Sequence, residues 1–268
     1  MMKIIIIGGG FMGEAIIEGM LNTNQFNVNN ISVVEIDTKK INQLKKYNIQ
    51  IHNNLDALCN EKIIILAVKP QQIEQVISDL SKKISPNTIV VSIAAGTSIA
   101  TIEQKIKTNP VIRVMPNILA AIGAGVSVYT ISKQVTAENI TLTEAILKSF
   151  SKVVIQVADE KTLDAATAIH GSGPAYVFLF MEYIIQSAIK LGINEQDAKQ
   201  LVLATFLGSA DYALQSQESL SKLRKSVTSP GGTTEAALTT LDEKQLSEII
   251  DSAIHAAFNR ATELANEK

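Results

Sequence analysis

The chain has 268 residues, 46% of them apolar and 19% charged, with a formal net charge of −2. Such a balance belongs to an ordinary folded protein and argues against a disordered chain or a broad basic surface for nucleic acid. Cys59 is the only cysteine and the three histidines are far apart, so neither an intrachain disulfide nor a metal site is expected.

The first half alternates β-branched runs with helical patterns. Runs at 3–7 (KIIII), 31–35 (ISVVE), 62–68 (KIIILAV), 88–93 (TIVVSI) and 110–114 (PVIRV) read as strands buried on both faces of a parallel sheet. Between them, GEAIIEGML, TKKINQLKKY and PQQIEQVISDLSKKI carry helical spacing, the last with Ile73, Val76, Ile77 and Leu80 on one face. This alternation predicts a doubly wound, mostly parallel α/β sheet. Further strand-like runs at 125–130 and 152–157, flanking a helical TAENITLTEAILKSF, extend it.

Beyond about residue 160 the period turns helical and stays so. The stretch 174–192 is apolar around most of its circumference, as in a bundle or a subunit interface, and Asn194 reads as the cap of the following helix. A last helix is expected from about Asp242, with Leu246, Ile250, Ala253, Ala257 and Leu264 along one stripe. The expected division is therefore a Rossmann-like domain, residues 1–160, and an all-helical domain, residues 161–268. The longest unbroken apolar run, Ala175–Met181, is far too short to span a bilayer, and no leader pattern precedes the first strand, so a cytoplasmic protein is expected.

Gly8-x-Gly10-x-x-Gly13 follows the first strand and opens a helix. In that setting the glycines serve a tight turn, close approach of pyrophosphate and helix–strand packing, while the helix start supplies N–H groups for phosphate. Glu35 closes the second strand about 20 residues on, where an acid meets adenosine ribose hydroxyls and favours NADH over NADPH. Lys39 and Lys40 can offset its charge, although the plainer reading puts both on the solvated face of the next helix. The turn Ala67-Val68-Lys69-Pro70 ends a third strand at the same edge. It reads equally as a cofactor contact and as a helix start with proline in its first turn.

Two stretches interrupt the helical half, HGSGPAY at 170–176 and TSPGGTTEAAL at 228–238. In the second, Pro230, Gly231 and Gly232 break one helix, and Thr233, Thr234 and Glu235 begin another. Free N–H groups there suit a carboxylate, with the Ser229 and Thr234 hydroxyls adding polar contacts. A plain interhelical loop with a threonine cap fits the spacing as well.

The strings GGGFMGEAI, AVKPQ, SIAAGTSI, VIRVMPN, HGSGPAYVFLF and SPGGTTEAAL, in this order over nearly the whole chain, closely resemble the pyrroline-5-carboxylate reductase family. The resemblance implies a Rossmann domain, a helical domain that intertwines with a second subunit, and active sites near that interface. It implies reduction of a cyclic imine carboxylate to L-proline by NADPH or NADH. It assigns the dinucleotide to Gly8, Gly10, Phe11, Met12, Gly13, Asn54, Ala67, Val68, Lys69 and Pro70. It assigns the substrate to Ser229, Gly231, Gly232, Thr233 and Thr234, with Thr234 facing the imine nitrogen as the catalytic hydroxyl. A homodimer is implied, with a higher oligomer of dimers left open. His170 reads as a structural histidine beside the GSGP break. Two positions depart from the family's habit: Lys225, where an Asp is common, and Glu35, where small or hydroxyl residues often accompany NADPH. The rival readings are another imine or ketone reductase of this architecture and a non-catalytic dinucleotide sensor.

Overall fold

The computed structural model describes residues 3–58 and 61–266. Cys59 lies outside the described residues. The residues through Ser172, together with those from Ala257 onward, form one compact body, and Gly173–Ala256 form a second.

The first body is an eight-stranded sheet of β1 (Ile4–Ile7), β2 (Ile31–Val34), β3 (Gln50–His52), β4 (Ile63–Leu66), β5 (Ile89–Ser92), β6 (Val111–Met115), β7 (Gly125–Ile131) and β8 (Ser151–Gln156). Their order is β3-β2-β1-β4-β5-β6-β7-β8, and every pair is parallel except β6 with β7. The continuous apolar runs follow from burial of both faces. Ile4 and Ile6 of β1 join Ile63, Ile65, Ile89 and Val91 in one core layer, while Ile5 and Ile7 join Ile64, Leu66 and Val90 in the other. Each such side chain contributes about 1.5–3 kcal/mol when fully buried.

Helices α1 (Phe11–Leu21) and α5 (Ala137–Lys148) cover the first layer, through Ile16, Ile17, Met20, Ile146 and Leu147. Helices α3 (Pro70–Leu80) and α4 (Ile99–Glu103) cover the second, through Ile73, Ile77, Leu80, Ile99 and Ile102. Helices α2 (Thr38–Leu44) and α6 (Glu160–Ala166) also belong to this body, as does the end of the last helix. The helical pattern after β2 stops earlier than its sequence period implies: α2 gives way to a 3₁₀ turn at Lys45–Tyr47, and Asn48 takes a left-handed φ of 54°. β3 is a three-residue edge strand without a run of β-branched residues to announce it.

A π-helical turn, Thr167–Gly171, follows α6. The second body then holds α7 (Gly173–Lys190), α8 (Glu195–Gln215), α9 (Leu220–Ser226), α10 (Thr233–Glu243) and the first part of α11 (Leu246–Asn266). Gly192, at φ 95°, ends α7, and Asn194 caps α8 by accepting the Asp197 N–H at 3.0 Å. The last helix starts later than Asp242, which belongs to α10. Gln245 at φ 57° makes the break, so Leu246 is the first residue of the new helix. No helix among the described residues is long and apolar enough to cross a membrane.

Candidate active site

β1 lies at the centre of the parallel strands, with β2 on one side and β4 on the other. Ile7, Val34 and Leu66 are level in register. The turns that follow them therefore open on one rim, at the switch point where α/β sheets take ligands. Gly8 adopts φ 105°, and a Cβ on it would come within 2.6 Å of the Ala67 carbonyl oxygen; on Gly13 it would lie 2.1 Å from the Gly8 oxygen. Both positions demand glycine, and the first turn of α1 is thereby pressed onto the strand end. Gly10 caps α1 without a side chain, leaving the helix N–H groups facing a groove of about 600 Å³.

Of the residues anticipated for the dinucleotide, Gly8, Gly10, Phe11, Met12, Glu35, Asn54, Ala67, Val68 and Lys69 line this groove. Gly13 supports it from behind, and Pro70 is the first residue of α3 with Lys69 as its cap. Ile36, Asp37, Lys40, Gln72 and Val76 also line it, and sequence reasoning did not assign them. Lys40 turns into the groove rather than to the solvated face, its ammonium 3.8 Å from Glu35 Oε2. The signal for it was Asp37, whose carboxylate caps α2 and so fixes Lys40 in the first turn. The N–H groups of Lys39 and Lys40 hold the Asp37 carboxyl below the usual carboxylate range. Glycines that admit backbone only, free N–H groups of α1 and a cation at the rim fit the diphosphate and sugars of a dinucleotide.

The 229–234 segment makes a tight turn after α9 and runs into the first two residues of α10. Gly232 donates its N–H to the Ser229 carbonyl at 3.0 Å, Gly231 takes φ 69°, and Glu235 Oε2 accepts the Gly231 N–H at 2.7 Å. Gly232 is the cap of α10 and offers no side chain. Thr233, Thr234 and Glu235 therefore occupy the first turn, where backbone N–H groups have no carbonyl partner within their own helix. The structure brings Ser229, Gly231, Gly232, Thr233 and Thr234 together as one turn, with Glu235 already engaged inside it.

The His170 ring sits between two backbone oxygens, Nδ1 2.6 Å from Ala166 O and Nε2 2.8 Å from Met115 O. The ring thus ties the π turn to the end of β6, and Asn117 Nδ2, donating to the His170 carbonyl at 3.1 Å, ties it to the loop that follows. Sequence reasoning also passed over Arg113, buried in β6. Its guanidinium donates to Glu160 at 2.9 Å and to Asp164 at 2.8 Å, and the same Glu160 oxygen accepts the Ile99 N–H that starts α4. Burial holds the Asp164 carboxyl above the usual range, against the opposing pull of Arg113. An arginine inside an apolar strand was the available signal. Among the described residues, no group of three or more His, Cys, Asp or Glu side chains is arranged to hold a metal ion.

Comparison with known proteins bears on both regions. The family described as "Pyrroline-5-carboxylate reductase dimerisation" matches residues 160–264, and the one described as "NADP oxidoreductase coenzyme F420-dependent" matches 3–96. Pyrroline-5-carboxylate reductase of Mycobacterium tuberculosis is 34% identical, over 98% of this chain and 97% of its own length. The solved structure of a pyrroline-5-carboxylate reductase from Coxiella burnetii superposes with a TM-score of 0.91 at 34% identity, over 98% of both chains. That of Plasmodium falciparum pyrroline carboxylate reductase with NADP bound superposes at 0.89 and 28% identity, again over 98% of both. With its glycine-loop groove and its Ser-Pro-Gly-Gly-Thr-Thr turn, the chain belongs to the pyrroline-5-carboxylate reductase family.

Proposed function

We propose that this chain reduces 1-pyrroline-5-carboxylate to L-proline with NADH or NADPH, residues 1–160 holding the dinucleotide and residues 161–268 holding the substrate and pairing two copies. The turn at Ser229–Thr234 carries the reading. It offers a helix start, two hydroxyls and no histidine or cysteine, which suits a small anion that needs positioning more than acid–base work.

In this reading the substrate carboxylate accepts hydrogen bonds from the Ser229 hydroxyl and from the N–H groups of Thr233 and Thr234. Gly231 and Gly232 keep the turn narrow enough for backbone donors to reach it. The Gly8–Gly13 loop, Asn54 and Ala67–Pro70 hold the dinucleotide. Bound reduced nicotinamide supplies the hydride that the imine carbon accepts. The Thr234 hydroxyl orients the imine nitrogen and relays a proton to it. Positioning of donor and acceptor carbons supplies most of the acceleration. Work with a reduced nicotinamide pool suits the cytoplasm, and sedimentation of the dimer would also read any further assembly of dimers.

Steady-state oxidation of NADH and NADPH, with 1-pyrroline-5-carboxylate and with the same ring lacking its carboxylate, tests the proposal. Three charge-assisted hydrogen bonds to the carboxylate predict that the bare ring loses about 100-fold or more in kcat/KM. Thr234→Val should lower kcat with the carboxylate contacts kept. Full turnover and affinity in that variant would remove Thr234 from the mechanism, and no turnover with either nucleotide would remove the reductase reading.

A further inference from the structure

An acid at the end of β2 ordinarily reaches outward to ribose hydroxyls. Glu35 instead folds back on its own turn. Oε1 accepts the N–H groups of Ile36 and Asp37 at 2.8 and 2.9 Å, and Oε2 accepts the Gly9 N–H at 2.8 Å, with the side chain only 6% exposed. Consecutive N–H groups converging on one point form an anion nest. Here the chain fills its own nest.

We infer that Glu35 is a built-in anion that closes the cradle a 2′-phosphate would need and so selects NADH over NADPH. This rests on the reading of the groove as a dinucleotide site. A carboxylate has about four acceptor positions, and three are taken, which leaves one on Oε2. A ribose hydroxyl can donate to that position. A phosphate dianion has no proton to donate, and it would meet Glu35 and the Asp37 carboxylate together at the rim. Of the two lysines that line the groove, Lys40 is the one beside this acid, its ammonium 3.8 Å from Glu35 Oε2. The repulsive element is thus in place before any nucleotide arrives. Through Gly9 the same carboxylate holds the glycine loop, so selectivity and loop geometry share one side chain.

Titration of the nicotinamide fluorescence of NADH and NADPH on the full chain, with no imine present, tests this without turnover. The wild-type chain should bind NADH at least about tenfold more tightly than NADPH, the equivalent of about 1.4 kcal/mol. Glu35→Ser frees the Ile36 and Asp37 N–H groups, so NADH should weaken and NADPH should tighten until the ratio reaches unity or inverts. Adding Lys40→Met should cancel the NADPH gain. Glu35→Gln, of equal size and one charge fewer, should give an intermediate ratio and guards against a misfolded serine variant. Equal or tighter NADPH binding by the wild-type chain would overturn the inference, as would a serine or glutamine variant that keeps the wild-type ratio. Binding of neither nucleotide would overturn the dinucleotide reading of the groove, and this inference with it.

Discussion

The two bodies of this chain solve the burial problem differently. In the sheet body, all four isoleucines of β1 are at most 3% exposed, and helices close both layers. In the helical body, only Pro174, Ala198 and Val202 are buried. Phe178 is 54% exposed, Tyr183 56% and Leu207 66%. Exposed large apolar side chains this dense along α7 and α8 mark an interaction site rather than a finished surface. One body completes its core alone, and the other carries half of a core. The match of residues 160–264 to a dimerisation family names the same half of the chain. A second copy of this chain is the partner that fits.

The largest effect should come from a charge on that unfinished surface. Leu203, Leu207 and Leu214 share one face of α8 and are all exposed. Leu207→Asp should leave the sheet body intact but shift sedimentation from dimer to monomer, with activity falling about 100-fold or more. An intact, active dimer would make this face ordinary surface. The counterpart in the sheet body is Arg113→Met. Removing the guanidinium strands Glu160 and Asp164 against a buried strand, at about 3–5 kcal/mol by denaturant titration. Asp164 is already held above the ordinary carboxylate range, and a folded value above the unfolded one means that stability is lost as pH rises through it. The deficit of Arg113→Met should therefore be larger at neutral pH than in mild acid. Adding Glu160→Gln and Asp164→Asn should restore most of it.

The sheet was legible because its signals are local and repeated: β-branched runs, a glycine string and amphipathic crossovers. The 229–238 turn was legible because Ser, Pro and two glycines cannot continue a helix. What escaped the sequence depends on side chains meeting over distance. Glu35 could be placed at a strand end, but its folding back onto Gly9 depends on a partner 26 residues away. Lys40 looked like solvated charge, yet its ammonium lies at the groove beside Glu35. Arg113 finds its partners 47 and 51 residues later. The helical pattern runs on through a π turn at Thr167–Gly171, so periodicity carries no mark of the compact-body boundary at Ser172.

The smallest effect separates the bodies by charge at their helix starts. In the sheet body Asp37 caps α2 and Asp159 caps α6, each holding its carboxyl below the ordinary 3.8, chiefly through backbone N–H groups. In the helical body the caps are Asn194, Ser219 and Gly232, none of which ionises there. A folded value below the unfolded one gives stability that is complete above the unfolded value and lost as pH falls through the folded one. Asp159→Asn, which keeps the acceptor and removes the charge, should lower Tm slightly at neutral pH, and the difference should vanish once the wild-type carboxyl is protonated below 3.8. Asn194→Ala should instead lower Tm by the same amount on both sides of that window, because an amide cap does not titrate. Hydrogen exchange during acidification gives the finer reading: the Thr162 amide, bonded to Asp159, should lose protection before the Asp197 amide, bonded to Asn194. The reverse order would mean that the open helical body, and not the charged caps of the closed one, sets the acid limit of the fold.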